Sequence, residues 1–209
     1  MHGGKAPIDI LYKIQSFFNS VGSIYTRPDR KLAVYRVSNV NELSEVIIPH
    51  FNKYTLISQK YVDFLFWSKV VNLVLNKEHL KLPGFLIILN YYASINRGAS
   101  KKVLSFFPDI KPLDRPLFNL PVELDPFWVS GFVAGDGGGF APVYIHKPSK
   151  INSLRERLTY RFYITQHSKD LDLMKLFIKF FNCGVVHVRS NLATPRCDYI
   201  VQDGAPPPY

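Results

Sequence analysis

The 209-residue sequence predicts an α+β protein built from repeated helix–strand–strand units. Three observations lead there. Two distant segments share a pattern: Asp9 matches Asp172, Phe17-Phe18-Asn19 matches Phe180-Phe181-Asn182, and Gly22 matches Gly184 after a one-residue gap. A glycine-rich run, residues 125–137, is bounded like a helix and leads into a hairpin pattern. Between these parts Pro108, Pro112, Pro116, Pro121 and Pro126 force an extended path that excludes regular helix and central strand.

Each repeated segment reads as an amphipathic helix closed by Asn and Gly, which tolerate left-handed backbone, followed by two short strands. The match continues weakly through Tyr35 with Tyr199 and Val37 with Val201. Chance similarity is the competing explanation, and the Phe-Phe-Asn…Gly correspondence weighs against it. The first copy precedes a helical tail over roughly residues 40–105. The second copy follows the glycine-rich helix and its hairpin. The chain therefore holds the back of one unit and the front of the next.

In the tail, Asn39 or Asn41 caps a helix running to Phe51, with Glu42 and Glu45 near its positive end. Residues 58–76, with Ser58 as a candidate cap, place Tyr61, Phe64, Leu65, Val70, Leu73 and Val74 at helical spacings, with Trp67 beside them. Residues 83–95 form a third apolar helix, ended by Asn96-Arg97-Gly98. His50 and His79 read as structural. The expected organisation is 1–106 for the back portion of the first repeat, 107–125 for a Pro-rich linker, 126–203 for the front portion of the second repeat, and 204–209 for an unstructured tail.

In the glycine-rich run, Asp125 caps the helix and Pro126 suits its first position. Gly131 and Gly135 lie four apart, so one face is nearly flat and admits close approach of another backbone. Asp136 is the odd residue. A carboxylate at a helix C-terminus faces the negative end of the dipole. Two readings stand: a solvated Asp in a Gly-rich turn, or a ligand that joins the Gly135 region's carbonyl oxygens in holding a hard divalent cation.

Lys+Arg number 26 against 16 Asp+Glu, a formal +10 that favours a polyanionic partner, nucleic acid or an anionic membrane surface. No apolar run is long enough to span a bilayer, and the first residues lack a secretory apolar stretch. Hydrophobic residues make up 47%, which excludes wholesale disorder. Cys183 and Cys197 lack metal-site spacing and read as reduced packing residues. Residues 138–167 read as a hairpin whose loop, about 147–156, carries Lys147, Lys150 and Arg155. Along its second strand Leu158, Tyr160, Phe162 and Ile164 face the core. Arg157, Thr159, Arg161, Tyr163 and Thr165 face the other way, with Tyr144 and His146 assigned to that surface from the first strand. Pro142 inside that first strand removes a ladder donor, and Gly138-Gly139 loosens it. His187, Arg189 and Arg196 extend the cationic face, and Tyr25, Arg27 and Arg36 occupy similar places in the first copy. Such a sheet suits the major groove of double-stranded DNA, with arginines at base edges and loop lysines on phosphates. A solvated polar face accounts for charge but not for the dominance of cations.

Residues 129–137, Val-Ser-Gly-Phe-Val-Ala-Gly-Asp-Gly, resemble the motif helix of the LAGLIDADG homing endonucleases. Phe162-Tyr163-Ile164-Thr165-Gln166-His167 is similar to that family's F-x-I-T-Q segment. Pro49-His50-Phe51, Lys53-Tyr54 and Ser58-Gln59-Lys60 resemble its helix-turn-helix after the fourth strand. Asn76-Lys77-Glu78-His79-Leu80 and Ser94-Ile95-Asn96-Arg97-Gly98 are similar to the two-repeat, monomeric enzymes of fungal mitochondrial introns. The resemblance covers nearly the whole chain. It implies αββαββα repeats forming a DNA-binding saddle, with both repeats incomplete here. It implies motif helices that pack through small residues, as Gly131 and Gly135 allow. It further implies an acid, Asp136, that binds Mg2+ or Mn2+ with the Gly135 carbonyl for phosphodiester hydrolysis. Gln166 matches a polar residue that orders active-site water, although strict alternation puts it on the core side, so a local bend is expected. Lys60 is the choice for the basic residue near the scissile phosphate, against a solvated helix terminus. Three functions follow: an intron-encoded, site-specific, mitochondrial endonuclease making metal-dependent double-strand breaks; a maturase binding group I intron RNA; or an inactive nucleic-acid-binding remnant. Only one motif helix is present, so self-association or a missing repeat half is implied as the source of the second acid.

Overall fold

The computed structural model describes residues 8–30, 32–96, 98–136, 139–146, 157–190 and 193–202, with backbone alone at 139–146 and 157–160. The elements run α1 (Ile8–Phe17), β1 (Ser23–Arg27), β2 (Leu32–Arg36), α2 (Val40–Glu42), α3 (Ile48–Lys53), α4 (Lys60–Leu75), α5 (Leu82–Ser94) and α6 (Lys101–Phe106). They continue α7 (Pro126–Asp136), β3 (Gly139–His146), β4 (Arg157–His167), α8 (Leu171–Phe181), β5 (Val185–Arg189) and β6 (Arg196–Gln202). Two compact units result. One takes the residues up to Leu56 with Lys60–Phe118, the other Ile57–Gln59 with the residues from Asn119 onward. No described helix is long and apolar enough to cross a membrane.

In the first unit, α1 ends where Asn19 and Ser20 adopt positive φ, and Gly22 follows at φ +73°. The strands β1 and β2 pair antiparallel with Ile24 opposite Tyr35, and the Tyr35 hydroxyl donates to the Val21 carbonyl at 2.9 Å. The second unit repeats this in detail. Asn182 and Gly184 have positive φ, Val186 stands opposite Tyr199, and the Tyr199 hydroxyl donates to the Cys183 carbonyl at 2.9 Å. Each tyrosine closes on the residue before the matching glycine. The internal repeat thus extends to one shared hydrogen bond and one shared register. Packing differs: Leu173 of α8 is 1% exposed, whereas its counterpart Ile10 on α1 is 56% exposed. The described residues of the first unit include no counterpart of α7, β3 and β4 to cover α1.

Asn39 caps α2, accepting from the Asn41 and Glu42 amides at 2.9 and 3.4 Å. The expected single helix from there is instead three pieces, because a π-helical run, Leu43–Ile47, separates α2 from α3. Pro49 explains the break: it has no N–H to return to the preceding turn, and its ring crowds the carbonyl there. A core forms from Ile48, Phe64 and Val71, with Val40, Leu43, Phe51, Leu56 and Trp67 against it. In α4 the buried residues are Val62, Phe64, Phe66 and Val71, not the single stripe read from spacing. The helix is apolar nearly all round, so spacing alone could not select its face. Its neighbour α5 meets it through Phe66 and Tyr91, ring centres 5.6 Å apart. His50 packs edge-on against Phe17, Phe18 and Phe51, a structural role as expected.

The Pro-rich stretch is extended but not loose. Asn90 and Ser94 side chains accept from the Lys111 and Leu113 amides, and Arg115 donates to Asp63 and to the Ser94 carbonyl, both at 2.9 Å. Residues up to Phe118 are thereby strapped to the first unit. Leu120 and Leu124 join the core of the second.

The second unit is a four-stranded antiparallel sheet, order β3-β4-β6-β5. Its core gathers Leu124 and Val129 with Ile164, Leu173, Met174, Phe177, Cys197 and Tyr199. Ile57 packs on this core, and the Gln59 amide donates to Asp170 at 2.7 Å. Opposite the helices, β4 and β6 leave a polar face.

Candidate functional site

The helix α7 begins as its residues dictate. Asp125 Oδ1 accepts from the Trp128 amide at 2.9 Å, and Pro126 occupies the first helical position. Val129 is buried and Trp128 stacks on Phe132, ring centres 4.7 Å apart, which anchors one side. The other side is bare: Phe127 is 88% exposed, and a Cβ placed on Gly131 or Gly135 would meet nothing within 4 Å. Among the described residues nothing packs on the flat face.

At its C-terminus Asp136 is exposed, and Gln166 of β4 donates its side-chain amide to the Asp136 carboxylate. The expected bend in β4 is absent. Its register with β6 runs unbroken from Arg161 opposite Gln202 to His167 opposite Arg196. No bend is needed, because α7 packs on the same side of the sheet that Phe162, Ile164 and Gln166 share, and its end meets the strand's end. A shallow cavity of about 320 Å3 opens here, lined by Asp136, Thr165, Gln166, His167, Thr194 and Arg196. His167 is tied down, its Nδ1 accepting from the Lys169 amide at 3.1 Å. Thr194 and His167 were not singled out by sequence. Neither carries a spacing signal, and Thr194 lines the cavity from the β5–β6 loop. Among the described residues no three His, Cys, Asp or Glu side chains cluster as a metal site. Asp136 with backbone and amide oxygens is nevertheless a hard, oxygen-only donor set of the kind magnesium takes. Cys197 does not compete: it is fully buried, and burial, then Asp170 and Asp198, push its thiol up to about 11.

Lys60 belongs to the other unit. It opens α4, with its ammonium 3.4 Å from Asp63 and 3.0 Å from the Asn96 side-chain oxygen.

On the polar face of the second unit, Arg161 donates to Gln202 from Nε and Nη2 at 3.1 and 2.7 Å, and Thr165 donates to Asp198 at 2.7 Å. Tyr163 shares this face by alternation, and His187, Arg189 and Arg196 are exposed around it. The strand β3 carries a bulge between Ala141 and Tyr144. Without it Tyr144 would stand opposite Leu158. The extra residue at Pro142-Val143 flips the phase and sets Tyr144 and His146 opposite Thr159 and Arg157. Lys147, Lys150 and Arg155 lie outside the described residues. In the first unit, the Arg36 guanidinium lies 5.8 Å from the Tyr25 ring centre, and Arg27 is exposed at the strand end.

Comparison with known proteins bears on this arrangement. The family model described as LAGLIDADG endonuclease matches residues 2–71 and 129–205. The chain is 36% identical over 202 residues to "Probable intron-encoded endonuclease 2" of Neurospora crassa, covering 92% of this chain and 42% of that protein. It is 34% identical over 181 residues to "Probable intron-encoded endonuclease 3" of the same organism, covering 86% and 33%. Among solved structures, the I-SmaMI LAGLIDADG homing endonuclease bound to cleaved DNA superimposes with a TM-score of 0.83 at 34% identity, over 95% of this chain and 64% of that one. I-LtrWI bound to target DNA gives 0.79 at 35% identity, over 93% and 63%. The class these matches define is that of the LAGLIDADG endonucleases. The chain belongs to the LAGLIDADG endonuclease family. It spans less than half the length of these curated relatives and just under two thirds of the length of these structures.

Proposed function

We propose that this chain is part of an intron-encoded, site-specific DNA endonuclease of mitochondria that makes metal-dependent double-strand breaks. The observation that carries the reading is the Gln166–Asp136 pair at the end of the glycine-lined helix, beside a sheet face rich in Arg and Tyr. Relatives named intron-encoded endonucleases in fungi support the genetic setting. I-SmaMI, described as bound to uncleaved DNA target in the presence of calcium ions, supports duplex DNA as substrate and a role for a divalent cation.

In this reading the polar sheet face binds the duplex, Arg and Tyr against base edges and lysines on phosphates. Gln166 holds one carboxylate oxygen of Asp136 and so fixes the orientation of the other. Asp136 and the Gly135 carbonyl would hold Mg2+ or Mn2+, which when bound supplies an activated water and neutralises phosphate charge. Cutting both strands needs a second acid, from a further segment or a second copy, because the described residues hold one motif helix.

The test is cleavage of the matching intronless duplex with magnesium. Wild type is expected to cut, and Asp136→Asn to lose on the order of 100-fold or more in rate while still binding DNA. Cutting that survives Asp136→Asn refutes the assignment. Splicing rescue that survives the same substitution would point to the RNA maturase instead.

A further inference from the structure

In the second unit β6 is flanked on both sides, by β4 and β5. Cys197 and Tyr199 point toward the helices, and Asp198 between them points to the polar face. It is nonetheless 1% exposed, the one buried charged side chain among the described residues. Two donors hold it. Thr165 stands opposite on β4 and donates its hydroxyl at 2.7 Å, and Arg189 on β5 donates from Nε. A carboxylate withdrawn from water is costly unless paired and hydrogen-bonded, and these contacts do both. The Arg189 side chain, in contrast, is 57% exposed. Its contact with Asp198 uses the inner edge of the guanidinium and leaves the two terminal nitrogens without a partner among the described residues. Arg161 differs, because the neutral Gln202 brace takes up one of its terminal nitrogens.

We propose that Asp198 is a positioning residue for sequence recognition: it holds Arg189 so that its terminal nitrogens read the O6 and N7 of one guanine in the major groove. The inference rests on the endonuclease reading above. An arginine held in advance loses less conformational freedom on docking, and its planar fork matches a guanine edge two bonds at a time. Asp198 thus acts on selectivity and not on general attraction to phosphate. The charge of Arg189 persists without the brace, but its direction does not.

The experiment is selection of binding sites from a randomised duplex library by the full chain, repeated for Arg189→Ala, Arg189→Lys and Asp198→Asn. Wild type is expected to select a guanine at one position that Arg189→Ala relaxes. Asp198→Asn should relax that same position by roughly 5- to 150-fold and leave the others alone. Arg189→Lys keeps the charge without the fork, and should lose the same preference; it keeps the test decisive if Asp198→Asn fails to fold. In the unbound wild type the Arg189 Nε–H proton should exchange slowly with water by NMR, and quickly in Asp198→Asn. Survival of the guanine preference in Asp198→Asn or Arg189→Lys, uniform loss at every position, or a fast-exchanging wild-type proton overturns the inference and leaves DNA binding standing. Failure of wild type to bind any duplex brings down both readings.

Discussion

Replacing Tyr199 with Phe removes one hydroxyl and nothing else, and the matched change at Tyr35 makes a control within the same chain. Tyr199 is fully buried, and its hydroxyl donates to the Cys183 carbonyl at 2.9 Å while lying 4.0 Å from the Cys183 sulfur. Tyr35 makes the equivalent bond to the Val21 carbonyl at 2.9 Å but is only half-buried. An average hydrogen bond contributes about 1 kcal/mol net, and a buried carbonyl left unpaired adds its desolvation penalty. Tyr199→Phe should therefore cost about 2 kcal/mol. Tyr35→Phe should cost about 1 kcal/mol or less, because water can reach the Val21 carbonyl. For a chain of this size each kcal/mol moves Tm by about 2–4 °C, so the expected losses are about 4–8 °C and about 2–4 °C. Thermal unfolding followed by circular dichroism measures both. The reasoning fails if Tyr35→Phe costs as much as Tyr199→Phe, or if neither shifts Tm by more than about 1 °C.

Gly84→Ala should destabilise the first unit by about 1–3 kcal/mol, since a methyl there overlaps the Glu78 carbonyl, which is backbone and cannot swing aside; urea unfolding reads it, and an unchanged midpoint contradicts the packing. Stability should fall as pH rises from about 9 through about 11. Over that span the unfolded chain releases the Cys197 proton while the folded chain, its thiol raised to about 11 by burial, keeps it, so folding binds more protons than unfolding. Tyr199, raised in the same direction by burial, prolongs the decline at still higher pH. Cys197→Ala should flatten the lower part of that curve in pH-dependent melts.

Much of the site was readable because its signals are local. Asp125, Pro126 and the glycine steps define α7 from chemistry within a dozen residues, and the structure bounds it at Pro126 and Asp136. The face of β4 followed from alternation, which a strand imposes on every side chain. Where alternation is broken, it misleads. Tyr144 and His146 pair in register with Thr159 and Arg157 only through the bulge around Pro142, a feature sequence suggested only as a missing ladder donor. Gln166 stands beside Asp136 without the bend that alternation led one to expect. The strand does not bend; the helix end comes to it.

The sequence by itself determined the elements and their repetition, since caps, left-handed Asn and Gly positions and the two tyrosines act over short range and recur in both copies. It also determined the cationic balance, which is a sum over residues. Which residues of the uniformly apolar α4 turn inward, the strapping of the proline stretch by Arg115, the meeting of Gln166 with Asp136 and the burial of Asp198 under Arg189 were decided only by tertiary structure. Each joins groups that are buried or paired by what comes to lie beside them, and such pairings depend on distances between elements that no local pattern encodes.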